Sequence, residues 1–283
     1  MTVMAIVAHP TDAFDMVGGT LANHLERGDE VHVCFTHARM HEDAFRLADK
    51  IRTKDAKAAR EAIEEESEHH IKRVMEACEV MGIKNVSTIG WEEDILIYTP
   101  ELIRKVADRI QEVRPELLIT HNPMENAGVP PHAVCGQLVV EGMRLARGAR
   151  ANGLSPHRTA QLYFICNPGS TTWLDAMSVN RYPAVQIDVT DQVEKKVKAL
   201  SKLDAQNYTP QMAAKVVEAT GGMPAVHQRV AYTEQFQPFF PEVHRHLPVS
   251  DHNLNLSKKL YRETARDIRF IAPYVDEVMD DRR

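Results

Sequence analysis

The sequence predicts an α/β fold in which a mostly parallel sheet is covered by helices on both faces. Three observations carry this expectation. Short apolar runs alternate with helical patterns through the first half of the chain. With 283 residues, 43% of them hydrophobic, the chain can bury a large core. No apolar window approaches the roughly 18 residues that a membrane span needs.

Taken in order, residues 3–8 read as a strand because Val3-Met4-Ala5-Ile6-Val7-Ala8 is unbroken and apolar. Residues 16–28 read as a helix closed by Gly28, and residues 31–36 as a second strand. The charged stretch from about 56 to 81 is helical. Its apolar positions Ile71, Val74, Met75, Cys78 and Met81 recur at three and four, and Gly82 stops it. Residues 85–89 read as a strand. A helix over 100–113 starts at Pro100 behind the capping Thr99, and Leu117–Thr120 is the next strand. The second half is less regular. It predicts a helix over 132–147, strands near 161–166 and 184–188, and an amphipathic helix carrying Val193, Val197, Leu200 and Leu203. Residues 207–260, rich in Pro, His and aromatics, give no clear period. One main domain over 1–240 and a helical C-terminal extension over 241–283 are expected.

Charge and cysteine usage exclude several classes. The net charge is −6 with no long basic stripe, so nucleic acid is not an expected partner. Cys34, Cys78, Cys135 and Cys166 lie far apart in apolar runs, which predicts buried free thiols. The first residues carry no basic region and no long apolar core of a signal peptide, so a soluble cytoplasmic protein is expected.

Parallel sheets bind ligands beyond the carboxyl ends of their strands. Chemistry is therefore expected just after residues 8, 36, 89 and 120. His9 and Asp12 follow the first strand, three residues apart on one turn, where an imidazole and a carboxylate reach the same cation. His132 opens a helix after the strand ending Thr120-His121. Spacing alone also fits plainer roles: an ordinary loop with Asp12 as a helix cap, and His132 as a helix-start residue.

The run Ala8-His9-Pro10-Thr11-Asp12, followed by Gly18-Gly19-Thr20-Leu21, resembles the AHPDDE…GGT motif of the PIG-L/LmbE deacetylase family. Later landmarks fall in the family's order: Gly82, Asp94, Arg114-Pro115-Glu116, Thr120-His121-Asn122-Pro123, His132-Ala133, Asp188-Val189-Thr190-Asp191 with Lys196, and Ala231-Tyr232-Thr233-Glu234-Gln235-Phe236. The resemblance spans about residues 3–240 and implies a Rossmann-like three-layer sandwich. It also implies a divalent metal ion, zinc above all, on His9, Asp12 and His132. The implied activity is hydrolysis of a C–N bond, such as an N-acetyl amide, in a small molecule. A homo-oligomer is expected.

The departures are chemical. The family's general base is Thr11 here, a residue that takes no proton near neutral pH. The motif's Glu is Ala13, and the His and acid of its His-Pro-Asp-His motif are Val129 and Pro131. A substitute base is therefore sought among His37, His121 and Asp15, with Arg39 and Asp94 as substrate contacts. Two other functions stay open. One is a hydratase or lyase like the family's 4-oxalomesaconate hydratase branch, with Arg39 and Arg181 for a polycarboxylate. The other is a scaffold that has lost catalysis. His244, His246 and His252 read as a solvated segment.

Overall fold

Seven strands form one sheet in the order β3-β2-β1-β4-β5-β7-β6. They are β1 (Thr2–Val7), β2 (Glu30–His37), β3 (Asn85–Trp91), β4 (Leu117–His121), β5 (Gln161–Ile165), β6 (Val185–Asp188) and β7 (Thr233–Pro238). The structure is a computed structural model and describes residues 1–37, 51–52, 54–91, 97–125, 130–166, 184–203 and 208–264. Strands β3, β2, β1, β4 and β5 run parallel, each offset by a crossover helix. Strand β7 pairs antiparallel with both β5 and β6.

The helices are α1 (Asp12–Asp15), α2 (Gly18–Glu26), α3 (Ala56–Met81), α4 (Pro100–Val113), α5 (Pro130–Ala146), α6 (Val193–Leu200), α7 (Pro210–Val217) and α8 (Asp251–Ser257). Their ends follow local chemistry. The Asp55 carboxylate accepts from the amides of Lys57 and Ala58 at the start of α3. Gly82 closes α3 at φ 79°, a left-handed position that costs glycine nothing. Thr99 caps α4, with Pro100 at its first turn. Among the described residues, no helix is long and apolar enough to cross a membrane.

Alternate residues of β1 point to opposite faces and enter two separate cores. Val3, Ala5 and Val7 join Phe14, Leu21, Val74, Cys78 and Leu200 on one side. Met4, Ile6 and Ala8 join Leu102, Val106, Ile110, Leu138 and Met143 on the other. Each fully buried large side chain stabilises the fold by about 1.5–3 kcal/mol before entropy is counted. The result is the expected three-layer arrangement.

Three expectations change in detail. The helix predicted over 16–28 is α2, shorter at Gly18–Glu26, and a separate single turn, α1 (Asp12–Asp15), precedes it. The apolar stripe of α3 is rotated: Val74, Cys78 and Met81 are buried, but Ile71 and Met75 are 45% and 47% exposed. Ser67, His70 and Ala77 take their place inside, on the flank where α6 packs. The unreadable stretch 207–260 holds α7 and β7, and β7 sits inside the sheet rather than in a separate lobe. Cys34, Cys78, Cys135 and Cys166 are all free thiols, the first three buried.

Candidate metal centre

Strands β1 and β4 are neighbours, so their carboxyl ends lie side by side. Beyond β1 the chain turns directly into α1. The backbone N–H of His9 donates to Asp12 Oδ2 at 2.8 Å, which folds the carboxylate back toward the strand end. Beyond β4, the loop 122–125 leads toward α5, whose third residue is His132. Helix α5 comes this close because Gly136 has no side chain: a Cβ there would sit 2.4 Å from the carbonyl oxygen of His121.

His9, Asp12 and His132 meet at this rim and are all buried. One ligand atom from each lies within 4.8 Å of the others. Nδ1 of His9 is 3.3 Å from Asp12 Oδ2 and 3.3 Å from Nε2 of His132. Nε2 of His132 is 3.4 Å from Asp12 Oδ1.

His121 lies beneath them and is completely buried. Its ring stacks on that of His132 at 3.9 Å between centroids, with 14° between planes. Its Nε2 is 3.0 Å from Asp12 Oδ2 and accepts the Ala8 N–H at 3.0 Å. Glu125 faces the far edges of the two rings, with Oε1 2.9 Å from His132 Nδ1 and Oε2 3.9 Å from His121 Nδ1. The group His121, Glu125 and His132 also gathers donor atoms within 4.8 Å, but it shares His132 with the first.

The electrostatics follow from two carboxylates buried among imidazoles. Burial works to raise the Asp12 carboxyl, but His132, His121 and His9 outweigh it and hold the group well below the usual carboxylate range. Burial, reinforced by His132, lowers the pKa of His121. Burial also opposes the charge on His132, yet Asp12 and Glu125 push it up to about 10. The cluster is thus built for positive charge at Nε2 of His132, between Asp12 and His9. Two imidazole nitrogens and one carboxylate oxygen suit zinc or a similar divalent ion, and three protein ligands leave a position open for chemistry. The donor set fits such an ion.

The other candidates fall elsewhere. Asp15 is buried, but its carboxylate accepts from Thr220 Oγ1 at 2.8 Å. Burial raises its pKa against the pull of Lys196. His37 ends β2, and its side chain lies outside the described residues, as do Arg39, Asp94 and Arg181. The expected sites after residues 36 and 89 therefore fall mostly outside the described residues. His244 pairs with Glu242 and His252 donates to the Gln228 carbonyl, both exposed. Glu125 escaped the sequence reading. Its one signal was a carboxylate placed four residues after His121 and seven before His132.

With this geometry in place, comparison with known proteins is informative. The profile of the family described as GlcNAc-PI de-N-acetylase, PIG-L, matches residues 4–143. A 1D-myo-inositol 2-acetamido-2-deoxy-alpha-D-glucopyranoside deacetylase of Thermomonospora curvata is 23% identical over 211 residues, covering 68% of this chain and 69% of that protein. A probable N-acetyl-alpha-D-glucosaminyl L-malate deacetylase 2 of Bacillus cereus is 32% identical over 148 residues. That match covers 50% of this chain and 60% of the relative. The crystal structure of a 4-carboxy-2-hydroxymuconate hydratase from Pseudomonas putida superposes with a TM-score of 0.66 at 18% identity. The superposition covers 87% of this chain and 99% of that one, and at such identity the likeness speaks to the fold alone.

Proposed function

Residues 4–143 form a PIG-L family domain, and from that premise we propose that the protein is a divalent-metal-dependent hydrolase that removes the acetyl group from an N-acetylated sugar derivative. The single observation that carries this reading is the meeting of His9, Asp12 and His132 within 4.8 Å at the carboxyl rim of the sheet. Two relatives named as deacetylases of N-acetylated sugar compounds support the substrate class.

His9 Nδ1, an oxygen of Asp12 and His132 Nε2 would hold the ion, with zinc the best match to the donors. When bound, it supplies Lewis acidity at the amide carbonyl and activation of the nucleophile. Glu125 accepts from His132 Nδ1, which turns the Nε2 lone pair toward His9 and Asp12. We assign His121, stacked on His132 with its Nε2 3.0 Å from Asp12 Oδ2, to shaping the floor of the site rather than to proton transfer. Asp15 is occupied by Thr220. We assign the proton to His37, at the end of the strand beside β1. It would take a proton from the attacking water and return it to the departing amine as the C–N bond breaks. Arg39 and Asp94, which follow β2 and β3 in sequence, are assigned to the substrate's polar groups.

The test is release of equal amounts of acetate and free amine from N-acetylglucosaminyl compounds by the metal-loaded protein. Turnover of an amide supports the reading; none across sugar, inositol-linked and malate-linked forms overturns it. A second reading, hydration of an unsaturated acid, is favoured by one observation. Thr11, Ala13, Val129 and Pro131 stand where the family's deacetylases carry their ionisable groups. Loss of ultraviolet absorbance from an unsaturated dicarboxylate, without acetate release, would decide for it.

A further inference from the structure

Helix α1 is one turn long, and Thr11 gives it no side-chain cap. A single helical turn is unstable on its own, since nucleation fixes several dihedrals for one hydrogen bond. Yet this turn carries Asp12. Something outside it must set its position.

The structure supplies that constraint from the far half of the chain. Lys196 of α6 is 1% exposed, and Glu234 of β7 is 4% exposed. Lys196 Nζ donates to Glu234 Oε1 at 2.6 Å and to the carbonyl oxygen of Asp15, the last residue of α1, at 2.7 Å. Glu234 in turn accepts from the amides of Gly19 at 2.9 Å and Thr20 at 2.7 Å, the opening of α2. Helix α2 has no side-chain cap of its own, so Glu234 serves as one from across the fold. Apart from the bond between the two partners, every side-chain hydrogen bond described for the pair ends on residues 15–20. Thr220 adds a further contact to the Asp15 carboxylate.

A buried ion pair is a weak way to gain stability, because desolvating two charges offsets most of their attraction. What it does well is fix geometry, since both ions demand their partners at short range. The segment it fixes runs directly into Asp12.

We propose that the Lys196–Glu234 pair is a positioning device for the cation: it holds the turn that presents Asp12, so the second half of the chain completes the metal centre. This rests on reading His9, Asp12 and His132 as that centre. It also assigns a purpose to residues 196 and 234, which lie beyond the 4–143 family domain.

The test is metal affinity, measured on the full chain by chelator competition with Zn²⁺, with the visible spectrum of Co²⁺-loaded protein as a report on ligand geometry. The variants are Lys196→Met, the double change Lys196→Met/Glu234→Gln, and Lys196→Arg. Arg150→Met is the control, because Arg150 makes an ion pair of similar length with the more exposed Asp108, at 2.6 Å, among residues that touch none of the proposed ligands. Outer partners of metal ligands change affinity by about 10–100-fold. The expected result is therefore at least tenfold weaker zinc binding and an altered Co²⁺ spectrum for Lys196→Met and the double variant. Lys196→Arg should recover most of the affinity. Arg150→Met should lower the melting temperature and leave zinc affinity within about twofold. If Lys196→Met does not fold because it strands Glu234, the double variant carries the test. Zinc affinity within twofold of wild type in a folded Lys196 variant overturns the proposal alone. A wild-type chain that takes up no zinc overturns the metal centre, and the proposal falls with it.

Discussion

Asp12 and Glu125 grip opposite edges of one imidazole: Asp12 Oδ1 lies 3.4 Å from Nε2 of His132, and Glu125 Oε1 lies 2.9 Å from its Nδ1. Carboxylate, imidazole and carboxylate in a line fix the ring's orientation, with Nδ1 toward Glu125 and Nε2 toward Asp12 and His9. The stacked ring of His121 repeats the pattern more loosely, at 3.0 Å to Asp12 and 3.9 Å to Glu125.

Glu125→Gln should therefore weaken zinc binding by about 10–100-fold, the usual effect of losing a ligand's outer carboxylate. Glu125→Ala, which leaves Nδ1 of His132 without that acceptor, should be the worse of the two. Competition with a chromogenic chelator measures both; equal affinity in all three proteins would show that Glu125 does not orient His132.

His9→Ala and His132→Ala should each reduce bound metal from about one ion per chain to a small fraction of that. Elemental analysis of purified protein checks it. Because a ligand that binds only the folded state stabilises it by about 4 kcal/mol at a thousand times its dissociation constant, zinc should also raise the wild-type melting temperature and leave both variants unmoved. Metal content unaffected by both substitutions would refute the ligand assignment.

Gly136→Ala should destabilise the fold by about 1–3 kcal/mol through overpacking. The added methyl meets backbone, the His121 carbonyl and the Pro123 nitrogen at 2.4 and 2.9 Å, neither of which can swing away. Melting temperature should fall by several degrees, with zinc affinity falling alongside as α5 lifts His132 off His121. A thermal shift without any change in metal binding would uncouple the helix position from the site.

His37→Gln should keep the metal and lose activity by about 10²–10⁴-fold, the range for a positioned proton carrier. His121→Gln should show the reverse order of effects, with metal affinity falling first. Turnover close to wild type in His37→Gln would move the proton to another residue of the rim.

The parallel half of the fold was legible because strands buried on both faces are written as plain apolar runs: β1, β2 and β4 stand out within a residue or two of their observed ends. Strand β7 was not. Its sequence, Thr-Glu-Gln-Phe-Gln-Pro, buries the polar Thr233 and Glu234, the latter through hydrogen bonds and an ion pair, and has Phe236 as its one buried apolar side chain, so hydrophobic periodicity cannot register it. The stripe of α3 was misread for a related reason. Ile71 and Met75 match the period by side chain, but the neighbouring flank with Ser67, His70 and Ala77 is buried instead. At the site, His9, Asp12 and His132 announced themselves through motif order. Glu125 lay in a loop whose meaning depends on how α5 folds back. Asp15 was legible as an acid, but the hydrogen bond it accepts at Oδ1 from Thr220, distant in sequence, was not.

The pairing of β1 with β4 has a consequence for biosynthesis. His9 leaves the ribosome long before His132, and the two meet only after the intervening crossover helices have wound the sheet and delivered β4 to the exposed flank of β1. A nascent chain stopped anywhere short of α5 holds two of the three donors and cannot cage an ion with them. On the proposed ligand assignment, metal capture would be a late event in the life of each molecule, following the folding of the amino-terminal half.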